Sequence, residues 1–249
     1  MFKVYKYLFL ALLAALGFSY YKTLHNFQTV SVVIPEVAKS PSQSKAKVLL
    51  PATLSKGDRE FVLEPLFDYE VSALVMGTSR NYISRIRKVV PFDVGLVWGE
   101  TARSGEFRKV RCWVMVNHLY AKWPAGAKVD MNDMSNHHIV PGSPEVLAML
   151  HKLAPGDQVR LRGRLVNVRS YPKGKAGQVR PEFEMLSSTA RSDQGDGACE
   201  ILYIESPDDI AMLQIADRTY PEMFRYCLWA LPALVLAFFV HSHVPFLMK

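Results

Sequence analysis

Two apolar runs without a charged residue lie near the two ends of this 249-residue chain. Residues 7–21 and 226–240 contain no Asp, Glu, Lys or Arg, and each run continues into further apolar residues. A helix of about 20 apolar residues spans a lipid bilayer. The sequence therefore predicts an N-terminal membrane anchor over 4–22 and a C-terminal transmembrane helix over 223–247, so that both termini bind the membrane.

The first run is also compatible with a cleaved signal peptide, because it is short and follows Lys3 and Lys6. Two aromatic residues, Tyr20 and Tyr21, directly follow its small-residue stretch and are typical of a membrane interface, which favours an anchor. The positive charges before the run place the N-terminus in the cytoplasm. We therefore expect a bacterial inner-membrane protein whose central domain faces the periplasm or the exterior.

The net charge of +7 says little about nucleic acid binding. Five of the 30 Lys and Arg residues flank the apolar ends, which leaves 25 against 23 Asp and Glu residues between them, or +2. The basic balance is therefore mainly a property of the membrane flanks. We therefore do not expect nucleic acid as a partner.

Residues 23–65 are predicted to form a linker, because much of this stretch is rich in Pro, Ser and Lys and buries little. A β domain is expected over 66–206. Ser206 and Pro207, with two aspartates behind them, open a short helix or connector over 207–222. Length and composition suit one ordinary core between the two anchors.

The order of the predicted strands and helix within the domain is similar to that of a known fold. Alternating or β-rich runs predict strands over 69–78, 92–98 and 110–116, then a helix that begins at Ser143 and Pro144, then strands over 157–168 and 199–205. Three strands, one helix and two strands resemble the OB-fold, a small five-stranded barrel. Residues 156–168 also resemble the fourth OB strand. The predicted fold is mainly β, with an OB-like barrel first and another α+β sandwich as the alternative.

Three arginines, Arg160, Arg162 and Arg164, alternate along one predicted strand and therefore project from one face. One interpretation is a solvated face partly paired with Glu200 or Glu205 on a neighbouring strand. The other is a site for an anionic ligand. The resemblance implies binding through strands 2 and 3, and two further candidates lie on the strand over 110–116: Arg111 and Trp113.

A polar stretch over 130–138 offers weak candidates for metal ligands: Asp130, Asp133, His137 and His138. Carboxylates and imidazoles bind metals, but this spacing matches no standard site. Adjacent histidines in an extended segment also point in opposite directions. We therefore favour a polar loop that satisfies its own backbone, within a long loop over 117–142, and expect neither a metal nor another cofactor.

Three classes of function remain open. The first is a membrane-tethered binding module for an anionic ligand or an envelope protein partner, and the second is an assembly or scaffold subunit of a membrane complex. A metal-dependent hydrolase is the weakest, because no nucleophile elbow, P-loop or dinucleotide fingerprint is present. Two domain cysteines, Cys112 and Cys199, are interpreted as small buried hydrophobes, with a disulfide between them as the alternative.

Overall fold

A computed structural model describes residues 2–47, 52–81, 85–115, 118–190, 192, 193, 195 and 197–247. The chain divides into two compact units, residues 27–216 and a helical unit made of 1–26 and 217–249. The helices are α1 Phe2–Leu24, α2 Gly99–Arg103, α3 Pro144–Leu150 and α4 Thr219–Leu247. The strands are β1 Ser42–Lys45, β2 Ala52–Lys56, β3 Arg59–Arg80, β4 Phe92–Val97, β5 Arg111–Met115, β6 His118–Lys122, β7 Met134–Pro141, β8 Gln158–Pro172, β9 Phe183–Met185, β10 Glu200–Ile204 and β11 Ile210–Gln214.

The helical unit consists of α1 and α4 packed together. Ring contacts join Tyr5 to Phe238, with centroids 5.3 Å apart, and Phe18 to Tyr220 at 5.8 Å, so the two helices run antiparallel. Each helix is long and apolar enough to cross a membrane, over Lys3–Leu24 and Thr219–Ser242. The two predicted apolar segments are therefore helices of suitable length and composition.

Residues 27–216 contain a mixed sheet, which has nine strands among the described residues. Five of them form a ring of pairings, from β3 to β4, β7, β10, β8 and back to β3. Only the β7–β10 pairing in this ring is parallel. The fold is thus α+β, and the ring is not the small five-stranded barrel that the sequence predicted. Strands β3 and β8, of 22 and 15 residues, extend beyond the ring and carry β1, β2, β9 and β11.

The third strand of the ring is not the one that the sequence predicted. The segment expected to fill this position, 110–116, contains β5, which pairs with β6 in a separate two-stranded hairpin, while residue 116 lies outside the described part. The ring instead uses β7, which lies within the predicted long loop over 117–142 and pairs with β4 and β10. Its successive polar residues Ser135, Asn136 and His137 interrupt the alternation of apolar and polar residues from which a strand is predicted.

The segment predicted to be a linker contributes to the sheet and the core. Phe27 and Val37 are fully buried, and the backbone N–H of Ile34 donates to Oε1 of Gln158 at 2.8 Å. Strands β1 and β2 and the start of β3 also lie within 23–65, whereas residues 48–51 are outside the described part. The predicted helix after Ser206 is a short 3-10 turn followed by β11, which pairs with the edge of β8.

Helix α3 follows its sequence signals closely. Ser143 caps its N-terminus, where the hydroxyl accepts from the N–H of Val146 at 3.3 Å, and Pro144 occupies the first turn. Val146 and Leu150 are buried in the main apolar cluster with side chains from the ring strands. The helix thereby covers one part of the core of the ring.

Candidate functional site

The three arginines of β8 lie opposite acidic or polar residues of neighbouring strands. Arg162 is paired with Glu70, which is its direct cross-strand partner in the β3–β8 register. Nη2 of Arg164 lies 2.6 Å from Oε2 of Glu205, and its guanidinium carbon lies 5.3 Å from the ring centroid of Tyr203. Two of the three predicted ligand-binding arginines are therefore internal ion-pair partners.

The third arginine of this strand, Arg160, and the expected acid Glu200 have other neighbours. Arg160 is half-buried and lies opposite Ser72 on β3 and Ala211 on β11. Glu200, an expected partner for the arginines, is buried and instead accepts a hydrogen bond from the hydroxyl of Ser135. Glu205, the other expected acid, is paired with Arg164.

An open groove of about 450 Å³ lies beside Arg162 and Arg164. Its lining carries charges of both signs: Lys47, Arg162 and Arg164 against Asp68, Glu70, Glu205 and Asp209. Four carboxylates beside three cations leave no positive excess for a uniformly anionic ligand. The groove is suited to a partner that itself carries both charges.

The other predicted candidates, Arg111 and Trp113, lie on the β5–β6 hairpin. The inner face of this hairpin packs against Gly77 of β3 and Gly95 of β4. These two glycines are cross-strand partners and leave space because they have no side chains. A Cβ atom at Gly95 would come within 2.9 Å of Val114 and 2.8 Å of Leu119. The glycines therefore let the hairpin lie directly on the ring strands, with its inner residues against them.

The outer face of the hairpin gathers aromatic and basic side chains. We call it the aromatic–basic face: Arg111, Trp113 and Met115 on β5, with His118, Tyr120 and Lys122 opposite them on β6. The rings of Trp113 and Tyr120 stack at 5.5 Å with planes 13° apart, and Nζ of Lys122 lies 5.8 Å from the Trp113 centroid. Trp113 is 37% exposed and Tyr120 is 41% exposed. These rings therefore present accessible π-surfaces beside cations.

The charges on this face differ from those of the groove. Arg111 and Lys122 are both exposed, and neither has an ion-pair partner among the residues that the structure describes. Arg111 and Trp113 were predicted from the sequence, whereas Tyr120 and Lys122 were not. Alternation in residues 118–122 signalled a second strand, yet only the hairpin register reveals which residues face each other.

The four weak metal candidates are dispersed. Oδ1 of Asp130 accepts from the N–H of Asn132 at 2.9 Å, and Oδ2 of Asp133 accepts from the N–H of Thr101 at 2.8 Å, in the first turn of α2. His137 and His138 are successive residues of β7 and face opposite sides of it. No cluster of three or more His, Cys, Asp or Glu residues that suits a metal occurs in the described part of the chain.

Each histidine has a buried partner on its own side of β7. Nε2 of His137 lies 2.9 Å from the hydroxyl of Tyr69, within the ring. Nδ1 of His138 lies 2.7 Å from Oδ1 of Asp93, a fully buried carboxylate whose other oxygen accepts from Asn81 at 3.0 Å. Asp93 was not predicted as a site residue. Its only signal in the sequence is the presence of a carboxylate inside the apolar strand predicted over 92–98.

The environment of His138 changes its proton affinity. Burial by itself lowers the pKa of His138, but hydrogen bonds with Asp93 and Cys199 outweigh burial and raise the pKa to about 9. A buried imidazole is stabilised in its charged form by a carboxylate at hydrogen-bond distance. Asp93 and His138 therefore form a buried, hydrogen-bonded pair between β4 and β7.

The two domain cysteines are free thiols in different surroundings. Cys112 is buried in an apolar cluster, where desolvation raises the pKa of the thiol to about 12. Cys199 is half-buried and accepts from Nδ2 of Asn136, with the two atoms 3.9 Å apart. Cys112 thus agrees with the expected small buried hydrophobe, whereas Cys199 has polar partners.

Comparison of the chain with known protein families, with curated proteins and with solved structures finds no match. A function is therefore inferred from the mixed-charge groove, the aromatic–basic face and the buried Asp93–His138 pair.

The Arg162–Glu70 pair can be tested by charge reversal. Arg162→Glu places two carboxylates opposite each other, and we expect it to lower the free energy of unfolding by about 1 kcal/mol. Glu70→Arg should cost a similar amount, and the double reversal should restore most of the loss. Denaturant titration of the four proteins measures this coupling. Unchanged stability with weakened binding of an anionic ligand would instead identify Arg162 as a ligand-binding residue.

The His138–Asp93 pair predicts a pH dependence of stability. Because the folded-state pKa of about 9 exceeds the ordinary value of 6.5, the pair stabilises fully below about pH 6.5 and loses its effect as pH rises through 9. We expect wild type to lose on the order of 3 kcal/mol across this range, and His138→Gln to lose much less. Denaturant unfolding at stepped pH measures both. His151→Gln, at an exposed position after α3, is the control and should behave as wild type.

Proposed function

We propose that the protein is a membrane-tethered, OB-like binding module that binds an anionic ligand through its aromatic–basic face. The observation that carries this proposal is the stacked, exposed Trp113–Tyr120 pair with Arg111 and Lys122 beside it and no carboxylate paired to either cation among the described residues. Cations without internal partners keep their full attraction for an anion. Exposed aromatic rings add stacking area.

The OB-like part of the proposal is supported by the order of pairing. Strands β3, β4 and β7 are consecutive around the ring, α3 follows β7, and β10 lies between β7 and β8. Three strands, one helix and two strands is the OB order, and OB domains bind ligands at strands 2 and 3 and at neighbouring loops. The hairpin belongs to the connection between β4 and β7, the second and third strands of the ring.

The anion is proposed as a phosphate- or carboxylate-bearing group. Its source is either the headgroup of an anionic lipid or a soluble polyanion, and these sources share the same chemistry at the face. Trp and Tyr with neighbouring Lys and Arg are also typical of protein surfaces that meet lipid headgroups. Two apolar helices suited to a bilayer are consistent with a lipid source.

A scaffold function is the second candidate, and the mixed-charge groove favours it. Three cations and four carboxylates line this groove, which is an arrangement that selects a protein segment with complementary charges. In this alternative the protein is an assembly subunit of an envelope complex. The metal-dependent hydrolase gains no support, because Asp130, Asp133, His137 and His138 lie apart with separate partners.

Charge reversal on the hairpin tests the proposed function. We expect Lys122→Glu to weaken binding to vesicles of phosphatidylglycerol or to inorganic polyphosphate by roughly tenfold at low salt, and the loss should shrink as salt rises. The full chain is reconstituted in phosphatidylcholine nanodiscs, and binding is measured by co-sedimentation for vesicles and by titration for polyphosphate. The two probes distinguish a lipid source from a soluble one.

Lys45→Glu is the matched control, because Lys45 is exposed on β1 and undergoes the same change of charge. It should weaken binding by under about twofold. If both variants weaken binding equally, the effect is one of net charge and the aromatic–basic face is not the site. If neither anion binds wild type while a protein partner is retained through the groove, the scaffold candidate replaces the binding module.

We also propose that both terminal helices span the membrane and that residues 27–216 face outward. The uncharged apolar helices and the Lys3 and Lys6 flank support this topology. After expression in a bacterium, carbonate washing should leave the full-length protein in the membrane, and protease added to intact spheroplasts should digest the central domain. Release by carbonate would contradict the tether, and retention with full protection would contradict only the orientation.

A further inference from the structure

A cleft of about 230 Å³ lies between α1 and α4 in the helical unit. It is formed by the start of α1 and the second half of α4. Its walls are Tyr5, Lys6 and Phe9 of α1 with Leu234, Val235 and Phe238 of α4. Five of these six side chains are aliphatic or aromatic, so the cleft is suited to an apolar ligand such as a segment of an acyl chain.

The sixth side chain, Lys6, gives one end of the cleft a positive charge. Lys6 is exposed, and Lys3 lies one turn before it on the same side of α1. Neither lysine has an ion-pair partner among the residues that the structure describes. Residues 1–24 contain no Asp or Glu, and the single acid of α4, Glu222, belongs to the other end of the antiparallel pair. This end of the helical unit is therefore suited to an anion.

Helix geometry sets the depth of Lys6 in a bilayer. Residues 7–24 of α1 are about 27 Å long at a rise of about 1.5 Å per residue, which is close to the thickness of roughly 30 Å of a hydrocarbon core. In a spanning α1, Lys6 therefore lies at the level of the lipid headgroups, and its long side chain can extend toward them. Phe9 lies about one turn deeper than Tyr5, at the level of the acyl chains.

We propose that this cleft binds an anionic phospholipid, with a segment of one acyl chain between α1 and α4 and the phosphate beside Lys6. The proposal rests on the spanning topology proposed above and concerns a different site from the aromatic–basic face. Basic pockets between membrane helices on the cytoplasmic side bind anionic lipid headgroups. The Lys3 and Lys6 flank places this end of α1 in the cytoplasm, where the leaflet is anionic. A free phosphate has no chain to fill the cleft, so the ligand is a lipid.

Photolabelling in nanodiscs tests this site. The full-length protein is reconstituted in phosphatidylcholine nanodiscs with a small fraction of phosphatidylglycerol or phosphatidylcholine that carries a diazirine in the acyl chain. Peptide mapping compares labelling of Phe9 and Leu234 in the cleft with labelling of Leu236, which is 65% exposed at a similar depth on α4. We expect phosphatidylglycerol to label the cleft about fivefold more than phosphatidylcholine does, and Leu236 to show no such preference.

Three variants separate the charge from the cleft. Lys6→Gln should remove most of the preference, because the cation beside the phosphate is lost. Lys22→Gln is the matched control, since Lys22 loses the same charge on the same helix but lies near Tyr220 at the other end of the pair, and it should change the preference by under about twofold. Leu234→Trp should fill the cleft and reduce its labelling by both lipids, while Leu236 stays labelled.

The comparison of the two lipids on wild type needs no variant, so it decides the proposal even where a variant does not fold. Equal labelling of the cleft by both lipids would overturn the proposal. A preference that survives Lys6→Gln, or that Lys22→Gln removes to the same extent, would also overturn it.

Two further measurements keep this test separate from those of the proposed function. Lys122→Glu, on the aromatic–basic face, should leave labelling of the cleft unchanged, so a failure of anion binding at that face does not affect the result. Carbonate washing separates the site from the topology on which it rests. Release of the protein by carbonate would contradict both the topology and this site, whereas retention without a lipid preference would contradict this site alone.

Discussion

The pairing of β3 with β8 is the constraint on which the rest of the domain depends. It extends from Arg59 opposite Pro172 to Leu74 opposite Gln158, with one register shift between Pro65 and Phe67. Each cross-strand pair contributes little, but a long ladder fixes a single register, because a slip of one residue would turn every buried side chain outward. This ladder closes the ring, carries four outer strands and sets Glu70 opposite Arg162.

Polar side chains inside the sheet add a second restriction. Asp93, His137 and His138 are buried, and each has a hydrogen-bond partner from another strand or loop. Leaving one such group unsatisfied costs on the order of 1–3 kcal/mol, so a register in which these partners miss each other is penalised beyond its lost apolar contacts. Strand β7 is thereby held by specific polar contacts as well as by packing.

Whether a cation is available for a ligand depends on its neighbours rather than on its residue type. Arg162 and Arg164 neutralise Glu70 and Glu205, whereas Arg111 and Lys122 have no ion-pair partner in the part of the chain that the structure describes. An anion that approached the arginines of β8 would compete with carboxylates already in contact, but one that approached the hairpin would not. For this reason the proposed binding surface is the β5–β6 hairpin and not strand β8, whose three alternating arginines suggested a site in the sequence.

Features that depend on nearby residues can be predicted from the chain alone. They are the apolar ends, the capped start of α3, the alternation along β8 and the opposite directions of His137 and His138, which follow from local periodicity and local hydrogen bonding. Other features appear only once distant segments are paired: β7 as the third ring strand, the contribution of 23–65 to the sheet, the arginines paired with acids, and the His138–Asp93 pair. Each of these features depends on a residue far away in the sequence. The pattern of one sequence does not show which distant strands pair with each other.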